Sequence, residues 1–167
     1  MDLEKIRLPN SLDKKSAGFI CNLIRLLNIT SVLEIGTSTG YSSLRFSQFA
    51  KVTTIEENKG KIIIAKENFK ENKNITLLEG DAIELMPKLK ENYDLIFIDA
   101  KKENYLQYFK LIQKLNPRII IADNVISHKE NMQDFLEEIK KHKTNFIKIG
   151  RGLSLTFHDS QRFDSSN

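Results

Sequence analysis

The sequence predicts an α/β protein built on a doubly wound, mostly parallel β-sheet that ends in an antiparallel hairpin. Short apolar runs alternate with amphipathic segments through most of the 167 residues, a pattern typical of strand–helix–strand units in a parallel sheet. A glycine-containing loop follows the first apolar run, where such sheets bind ligands. Near the carboxyl end, alternating apolar residues around Gly150-Arg151-Gly152 indicate a β-hairpin.

The elements follow in chain order. Apolar residues at positions 20, 23, 24 and 27 recur at helical spacing and predict a first helix, with Asn10 or Ser11 as its amino-terminal cap. The predicted strands are Val32 to Ile35, Val52 to Ile55, Ile75 to Leu78, Asp94 to Ile98 and Arg118 to Ala122. The further predicted helices are Tyr41 to Phe49, Lys59 to Phe69, Ala82 to Leu89, Asn104 to Leu115 and one containing Met132, Phe135, Leu136 and Ile139. The hairpin carries Ile147, Ile149, Leu153, Leu155 and Phe157, while the first ten residues and the tail from Ser160 to Asn167 are expected to be loose ends.

Length and composition limit the class of protein. The 167 residues fit a single domain, since domains average roughly 150 residues. Hydrophobic residues make up 40% and charged residues 29%, which predicts a folded core. No apolar run approaches the roughly 20 residues that span a bilayer, and the amino terminus lacks a basic, apolar leader, so we expect a cytoplasmic protein. Cys21 is the only cysteine, which excludes an internal disulfide and leaves oxygen or nitrogen ligands for any metal.

The charge balance has two interpretations. The formal net charge is +4 and the pI about 9.1, which is compatible with an anionic partner such as RNA. The same balance also arises from lysines on solvated helix faces. Composition alone leaves both interpretations open.

The glycine loop predicts a nucleoside cofactor. Glu34, Gly36 and Gly40 form E-x-G-x-x-x-G between a strand and a helix, and such a loop presents backbone N–H groups to a ligand. Ser38 occupies the position of the middle glycine of the dinucleotide fingerprint, which favours a cofactor without a pyrophosphate. Glu56 follows Gly36 by 20 residues and ends the second strand, where a ribose-binding carboxylate is expected. Together with the terminal hairpin, these features point to S-adenosylmethionine.

Acids also end the next three strands, at the edge where open α/β sheets bind ligands. For Asp81, a helix cap and a contact on the adenine side are both open. Asp99, Asp123 and Asn124 follow consecutive strands and make an oxygen-only set suited to Mg²⁺. Lys102, three residues after Asp99, is a candidate general base. The three histidines lack paired metal-ligand spacing and are expected at the surface, at His128, His142 and His158.

Five segments carry a resemblance to a known family. They are VLEIGTSTGYSSL at 32 to 44, TTIEEN at 53 to 58, EGDAIELMPKL at 79 to 89, YDLIFIDAKKENY at 93 to 105 and IIADNVI at 120 to 126. In order and spacing they resemble the cation-dependent O-methyltransferases of the catechol and caffeoyl-coenzyme A type, including the bacterial branch. The resemblance extends from about Ser11 to Phe157.

This resemblance implies the Rossmann-like sheet of class I methyltransferases and a role for each matching residue. The S-adenosylmethionine site would be lined by Glu34, Gly36, Thr37, Ser42, Glu56, Ala82 and Asp99. The metal ligands would be Asp99, Asp123 and Asn124, and Lys102 would be the catalytic lysine.

The sequence departs from the family pattern in two places. Family members usually carry additional amino-terminal helices that cover the acceptor pocket and help to form a dimer, whereas only about thirty residues precede the first strand here. We therefore expect an open pocket, and a homodimer is left open. Ala100 and Lys101 replace the aromatic and histidine neighbours of the animal catechol enzymes, so the acceptor cannot be copied from those enzymes.

Three functional hypotheses follow. The first is methyl transfer to a small catechol-like vicinal diol. The second is transfer to 5-hydroxyuridine in tRNA, with phosphate contacts from Lys101, Lys129 and Arg151. The third is a non-catalytic S-adenosylmethionine-binding module, against which the complete set of Asp99, Lys102, Asp123 and Asn124 argues.

Overall fold

A computed structural model describes residues 3–9 and 11–158 and confirms the predicted α/β sheet. Seven strands lie in the order β3-β2-β1-β4-β5-β7-β6. They are β1 (Ser31–Ile35), β2 (Lys51–Glu56), β3 (Ile75–Glu79), β4 (Leu95–Ile98), β5 (Ile119–Asp123), β6 (Lys143–Ile147) and β7 (Leu153–Phe157). The first five strands are parallel, and β7 pairs antiparallel with both β5 and β6. The carboxyl ends of five strands therefore meet along one edge.

Helices cover both faces of this sheet. They are α1 (Lys14–Leu26), α2 (Tyr41–Phe46), α3 (Lys59–Phe69), α4 (Ala82–Leu85), α5 (Tyr105–Ile112) and α6 (Gln133–Ile139). Along β4 every residue is buried, with Ile96 and Ile98 packed in the core under α4 to α6, and Leu95 and Phe97 packed under α1 and α2. Successive strand residues point to opposite faces, so a strand buried on both sides is apolar throughout. The uninterrupted apolar runs of the sequence have this cause.

The amino-terminal part differs from the prediction. Asp13 caps α1, because its carboxylate accepts the backbone N–H groups of Lys15 and Ser16, and an aspartate in this position satisfies the unpaired donors of a helix start. Ser11 is therefore not the cap, its hydroxyl accepting the N–H of Leu8 instead, and Asn10 lies outside the described residues. The first residues are also less loose than expected, since Leu3–Ile6 form a 3₁₀ turn. The predicted loose tail from Ser160 lies outside the described residues.

Several predicted helices are shorter than expected. The segment predicted as Ala82 to Leu89 is α4 followed by a 3₁₀ turn, Met86–Lys88, because Pro87 has no N–H to continue the helix. The helix predicted from Asn104 to Leu115 is α5 with a 3₁₀ turn at each end, and α2 ends at Phe46 rather than Phe49. In the hairpin, Ile149 belongs to the turn and not to β6. Among residues 3–9 and 11–158, no helix is long and apolar enough to cross a membrane.

Candidate active site

A cleft of about 700 Å³ opens at the carboxyl ends of the parallel strands. It lies where the strand order reverses between β1 and β4, the position at which open α/β sheets bind their ligands. Each parallel strand contributes lining residues at its end, among them Gly36, Glu56, Gly80, Asp99 and Asn124. The predicted cofactor loop and most of the predicted acceptor residues therefore meet in one cleft.

The glycine loop packs closely against the end of β4. Gly36 has φ +101°, and a Cβ atom there would collide with the carbonyl oxygen of Asp99. The backbone N–H groups of Gly36 and Thr37 both donate to the carbonyl of Ile55, at 3.0 and 3.2 Å. Only glycine combines this conformation with such a close approach. The loop is thus fixed between the ends of β2 and β4.

Glu56 ends β2 beside this loop. Its carboxylate accepts the backbone N–H of Ser38 at 2.8 Å through one oxygen and that of Asn58 at 2.9 Å through the other. The side chain lines the cleft although Glu56 is only 8% exposed. Each carboxylate oxygen can accept more than one hydrogen bond, so Glu56 keeps capacity for hydroxyl groups of a ligand.

Glu34 lies beneath the glycine loop. It is completely buried within β1 and does not line the cleft; its carboxylate accepts the hydroxyl groups of Ser43 and Thr54. Burial raises the pKa of Glu34 from 4.5 to about 7, against the opposing effect of hydrogen bonds from Ser42, Ser43 and Thr54. Glu34 thus supports the loop from beneath, and its direct contact with the cofactor stays a prediction. Thr37, which does line the cleft, is linked to this group through the hydroxyl of Thr54 at 2.7 Å.

The remaining predicted cofactor residues line the same cleft. Ser42 in α2 and Ala82 at the start of α4 both line it. Asp81 lines it as well, and its carboxylate also caps α4 by accepting the N–H of Ile83 at 2.8 Å. The cap is thus observed, and a cofactor contact by Asp81 remains a prediction. Lys61 and Tyr108 also line this region and were missed, because their placement depends on how α3 and α5 pack.

The predicted acceptor residues lie close together at the ends of β4 and β5. The ammonium group of Lys102 lies 2.9 Å from Oδ1 of Asp99. The side-chain amide of Asn124 donates to the same oxygen at 3.0 Å. Asp123 lies behind them and is 1% exposed, and its Oδ1 has no hydrogen-bond partner in the part of the chain that the structure describes. Burial, followed by the neighbouring charge of Asp99, raises the pKa of Asp123 from 3.8 to about 7.

This donor set fits a hard divalent cation. Asp99, Asp123 and Asn124 offer only carboxylate and amide oxygens, the ligands that Mg²⁺ prefers. A buried carboxylate oxygen without a partner is costly, and a cation would satisfy it. Over the described residues no group of three or more His, Cys, Asp or Glu side chains could hold a metal, so the candidate set depends on the amide of Asn124.

The basic residues proposed for phosphate contacts are not equivalent. Lys101 lines the cleft but pairs with Glu57 at 2.7 Å. Lys129 borders a separate shallow groove beside α6. Arg151 lines the cleft and donates to the carbonyl of Pro9 at 2.7 Å. Of the three, Lys101 and Arg151 therefore line the cleft, and Lys129 does not.

Two further features of the acceptor side escaped prediction. Leu8, Pro9, Ser11 and Leu12 line the cleft, so these four residues before α1 form part of its wall. His128, expected simply at the surface, is exposed but also lines the cleft. Both placements result from long-range packing that sequence spacing does not reveal.

Comparison with known proteins identifies a family and several relatives that are similar to this chain. The model of the O-methyltransferase family matches residues 5–156. A catechol O-methyltransferase from Niastella koreensis is 30% identical over 129 residues, which cover 70% of this chain and 58% of that protein. The chain spans just over half the length of such relatives, 52% for a catechol O-methyltransferase B from Danio rerio.

Solved structures give the same relationship. A caffeoyl-CoA O-methyltransferase candidate from Staphylococcus aureus is 30% identical and matches with a TM-score of 0.86, over 95% of this chain and 92% of that one. An O-methyltransferase from Bacillus cereus, crystallised with SAH, matches with a TM-score of 0.81 at 23% identity, over 93% and 90% of the two chains. At that identity the second likeness shows the fold alone.

Proposed function

This chain belongs to the O-methyltransferase family, and on that basis we propose that it moves the methyl group of S-adenosylmethionine to a small acceptor with two adjacent oxygens, a catechol-like vicinal diol. Dependence on a divalent cation is part of the proposal. The observation that carries it is the packing of Gly36 against Asp99. Through this packing, the predicted cofactor loop adjoins the first residue of the acceptor side, and one cleft can hold methyl donor and acceptor together.

On the cofactor side, Glu56 is the residue that would accept the two ribose hydroxyl groups. Gly36, Thr37, Ser42 and Asp99 would surround the methionine portion, since all four line the cleft next to the loop. Ala82, at the start of α4, would lie on the adenine side. The B. cereus O-methyltransferase with the same fold was crystallised with SAH, and this supports the assignment of the cofactor.

On the acceptor side, Asp99, Asp123 and Asn124 would hold a divalent cation such as Mg²⁺. When bound, such a cation lowers the pKa of an acceptor hydroxyl and orients it through two adjacent oxygens. In the proposed step, Lys102 would act as the general base that takes the hydroxyl proton while the acceptor oxygen attacks the methyl group in line with the departing sulfur. The position of Lys102 beside Asp99, 2.9 Å away, supports this role.

The acceptor hypotheses differ in what they require of the basic residues. A small diol needs only the cation site and Lys102. A hydroxyuridine in tRNA offers the same two-oxygen chelate but also needs phosphate contacts around the cleft. With Lys101 paired to Glu57 and Lys129 beside another groove, the small diol is the better-supported acceptor, and tRNA is the alternative that the assay must include.

The non-catalytic alternative makes a different demand on the same residues. Binding of S-adenosylmethionine alone does not require a buried carboxylate at Asp123 with an unpaired oxygen, nor a lysine paired with Asp99. Both are present beside the cleft. We therefore favour an enzyme.

One assay tests the proposal. The protein is offered S-adenosylmethionine with catechol or with tRNA lacking this modification, with and without a chelator of divalent cations. We expect methylated catechol that disappears on chelation and in Lys102→Met, whereas Lys141→Ala, at an exposed lysine paired with Glu138, retains activity. Methoxyuridine in digested tRNA, with a yield that falls steeply between about 50 and about 200 mM salt, would establish the alternative acceptor. No transfer to either acceptor, with cofactor bound, would favour the non-catalytic module.

A further inference from the structure

Tyr105 is a buried tyrosine whose hydroxyl points to the acceptor side of the cleft. It is the first residue of α5 and has no exposed surface. Its ring packs edge-to-face against Phe135, with centroids 5.4 Å apart, and at a tilt against Tyr108 at 6.4 Å. Such packing leaves the ring one orientation. The hydroxyl is therefore held in a fixed place.

Polar groups of the lysine and of two strand ends surround that hydroxyl. The ammonium group of Lys102 lies 2.9 Å from it, and the carbonyl oxygens of Ile98 and Asp123 each lie 3.3 Å away. An ammonium group has only donors, so the phenol oxygen accepts from Lys102. The single phenol proton is then available for one of the two carbonyls. The direction of these hydrogen bonds follows from the groups themselves.

The two carbonyls belong to the strands that carry the candidate metal ligands. Ile98 ends β4 immediately before Asp99, and Asp123 ends β5. One oxygen atom thus contacts the lysine and the ends of both strands. We infer that Tyr105 is a positioning residue, whose hydroxyl holds the amine of Lys102 in place relative to Asp99 and Asp123.

The physical need for such a residue comes from the lysine side chain. A lysine has a flexible four-carbon stem, and fixing it costs conformational entropy. Asp99 alone gives the ammonium group one anchor, around which the stem can still turn. The hydroxyl of Tyr105 supplies a second anchor on a rigid ring, and the 5.0 Å separation between the amine and the ring centroid adds a favourable contact. The inference rests on the proposed function only in giving Lys102 a role in methyl transfer.

The test removes one oxygen atom. Tyr105→Phe keeps the ring and its packing. Tyr93→Phe is the matched control, because Tyr93 is also buried and its hydroxyl bonds to groups outside the candidate site, among them Glu91 at 3.3 Å. Each protein, free of cofactor and metal, is treated with limiting acetic anhydride, and acetylation of Lys102 is measured by peptide mass spectrometry relative to Lys141. We expect Lys102 to react about fivefold faster or more in Tyr105→Phe, the effect of losing one hydrogen bond to a charged group, and at the wild-type rate in Tyr93→Phe.

Methyl transfer gives the second measurement. In Tyr105→Phe, kcat should fall about tenfold, with the KM for S-adenosylmethionine unchanged, because the hydroxyl does not line the cofactor loop. Unchanged acetylation of Lys102 in a folded Tyr105→Phe protein would overturn the inference, as would an equal change in Tyr93→Phe. Absence of methyl transfer in the wild-type protein would contradict the proposed function instead, since acetylation does not depend on it.

A converse variant keeps the test decisive if Tyr105→Phe does not fold. Lys102→Met removes the amine from the other side of the contact. In protein with ¹³C-labelled tyrosine, this variant should shift the Cζ resonance of Tyr105 and leave that of Tyr93 in place. An unshifted Tyr105 resonance would contradict a contact between the hydroxyl and the amine.

Discussion

The carboxylate of Glu56 accepts the backbone N–H of Ser38 at 2.8 Å, and this bond ties the end of β2 to the glycine loop. Ser38 has a positive φ of 53°, a conformation that non-glycine residues adopt only where their surroundings hold them. Glu56 therefore has two tasks in this structure. It stabilises the loop and presents remaining acceptor capacity to the cleft.

Replacing Glu56 with alanine should weaken the binding of S-adenosylmethionine by about 1.5 to 3 kcal/mol, the scale of hydrogen bonds to a charged group. Isothermal titration calorimetry measures the dissociation constant directly. Glu67→Ala is the control, since its side chain is 77% exposed on α3. An unchanged dissociation constant in Glu56→Ala would assign Glu56 to loop stabilisation alone.

Alanine substitutions at two glycines test the close packing of the glycine loop, one within the loop and one as a control outside it. Gly36→Ala places a methyl group against the carbonyl of Asp99, whereas an alanine at Gly18, within α1, meets no atom within 4 Å. We expect Gly36→Ala to lose binding of S-adenosylmethionine and to lower the melting temperature, because backbone must move to make room. Gly18→Ala should keep binding and gain up to about 1 kcal/mol of stability from helix propensity. Calorimetry and thermal unfolding decide both, and full binding by Gly36→Ala would show that the close approach is dispensable.

Asp123 tests the cation site separately from the cofactor site. Asp123→Ala should retain most of the affinity for S-adenosylmethionine while losing methyl transfer, because Asp123 does not line the cofactor half of the cleft. Mg²⁺ should raise the melting temperature of the wild-type protein and leave that of Asp123→Ala unchanged, since binding to the folded state stabilises it. Glu71→Ala, an exposed acid outside the cleft, should behave as the wild type in each measurement. Full turnover after exhaustive chelation would contradict the role of the cation.

The order of the elements was predictable because burial on both sheet faces leaves apolar runs in the sequence. The helix predicted near Lys59 to Phe69 is present as α3, and Asn58 caps it. Helix ends were harder to predict where neighbouring residues compete to cap or to interrupt the helix. Asp13 outcompetes Ser11 as a cap, and Pro87 divides a helix that apolar spacing alone makes continuous.

The candidate site was predictable where residues directly follow strands. Glu56, Asp99 and Asn124 line the cleft, because the ends of parallel strands meet at one edge. Glu34 points beneath the loop into a buried cluster of hydroxyl groups, because side chains alternate along a strand, and the sequence alone did not indicate this cluster. Tyr108 and residues 8, 9, 11 and 12 reach the cleft through tertiary packing, for which the sequence holds no local signal.

The buried carboxyl of Glu34 gives the protein a distinctive dependence of stability on pH. Burial raises its pKa from 4.5 to about 7, so between these values the folded state binds a proton that the unfolded state has released. The free energy of unfolding therefore falls as pH rises through this window. A shift of this size corresponds to about 3 kcal/mol, since one pKa unit is worth about 1.4 kcal/mol. The contribution is fully present below about pH 4.5 and lost above about pH 7.

Glu34→Gln removes this contribution, because glutamine stays neutral at every pH and can still accept the hydroxyl groups of Ser43 and Thr54 through its amide oxygen. Urea unfolding of the metal-free proteins at about pH 4.5 and about pH 7.5 gives the two free energies for each. The stability of Glu34→Gln relative to the wild type should rise between these pH values by up to about 3 kcal/mol. Taking the difference cancels the contribution of Asp123, whose pKa is also raised. Glu67→Gln, at an exposed position, should run parallel to the wild type, and an equally parallel Glu34→Gln would mean that Glu34 is ionised within the folded protein.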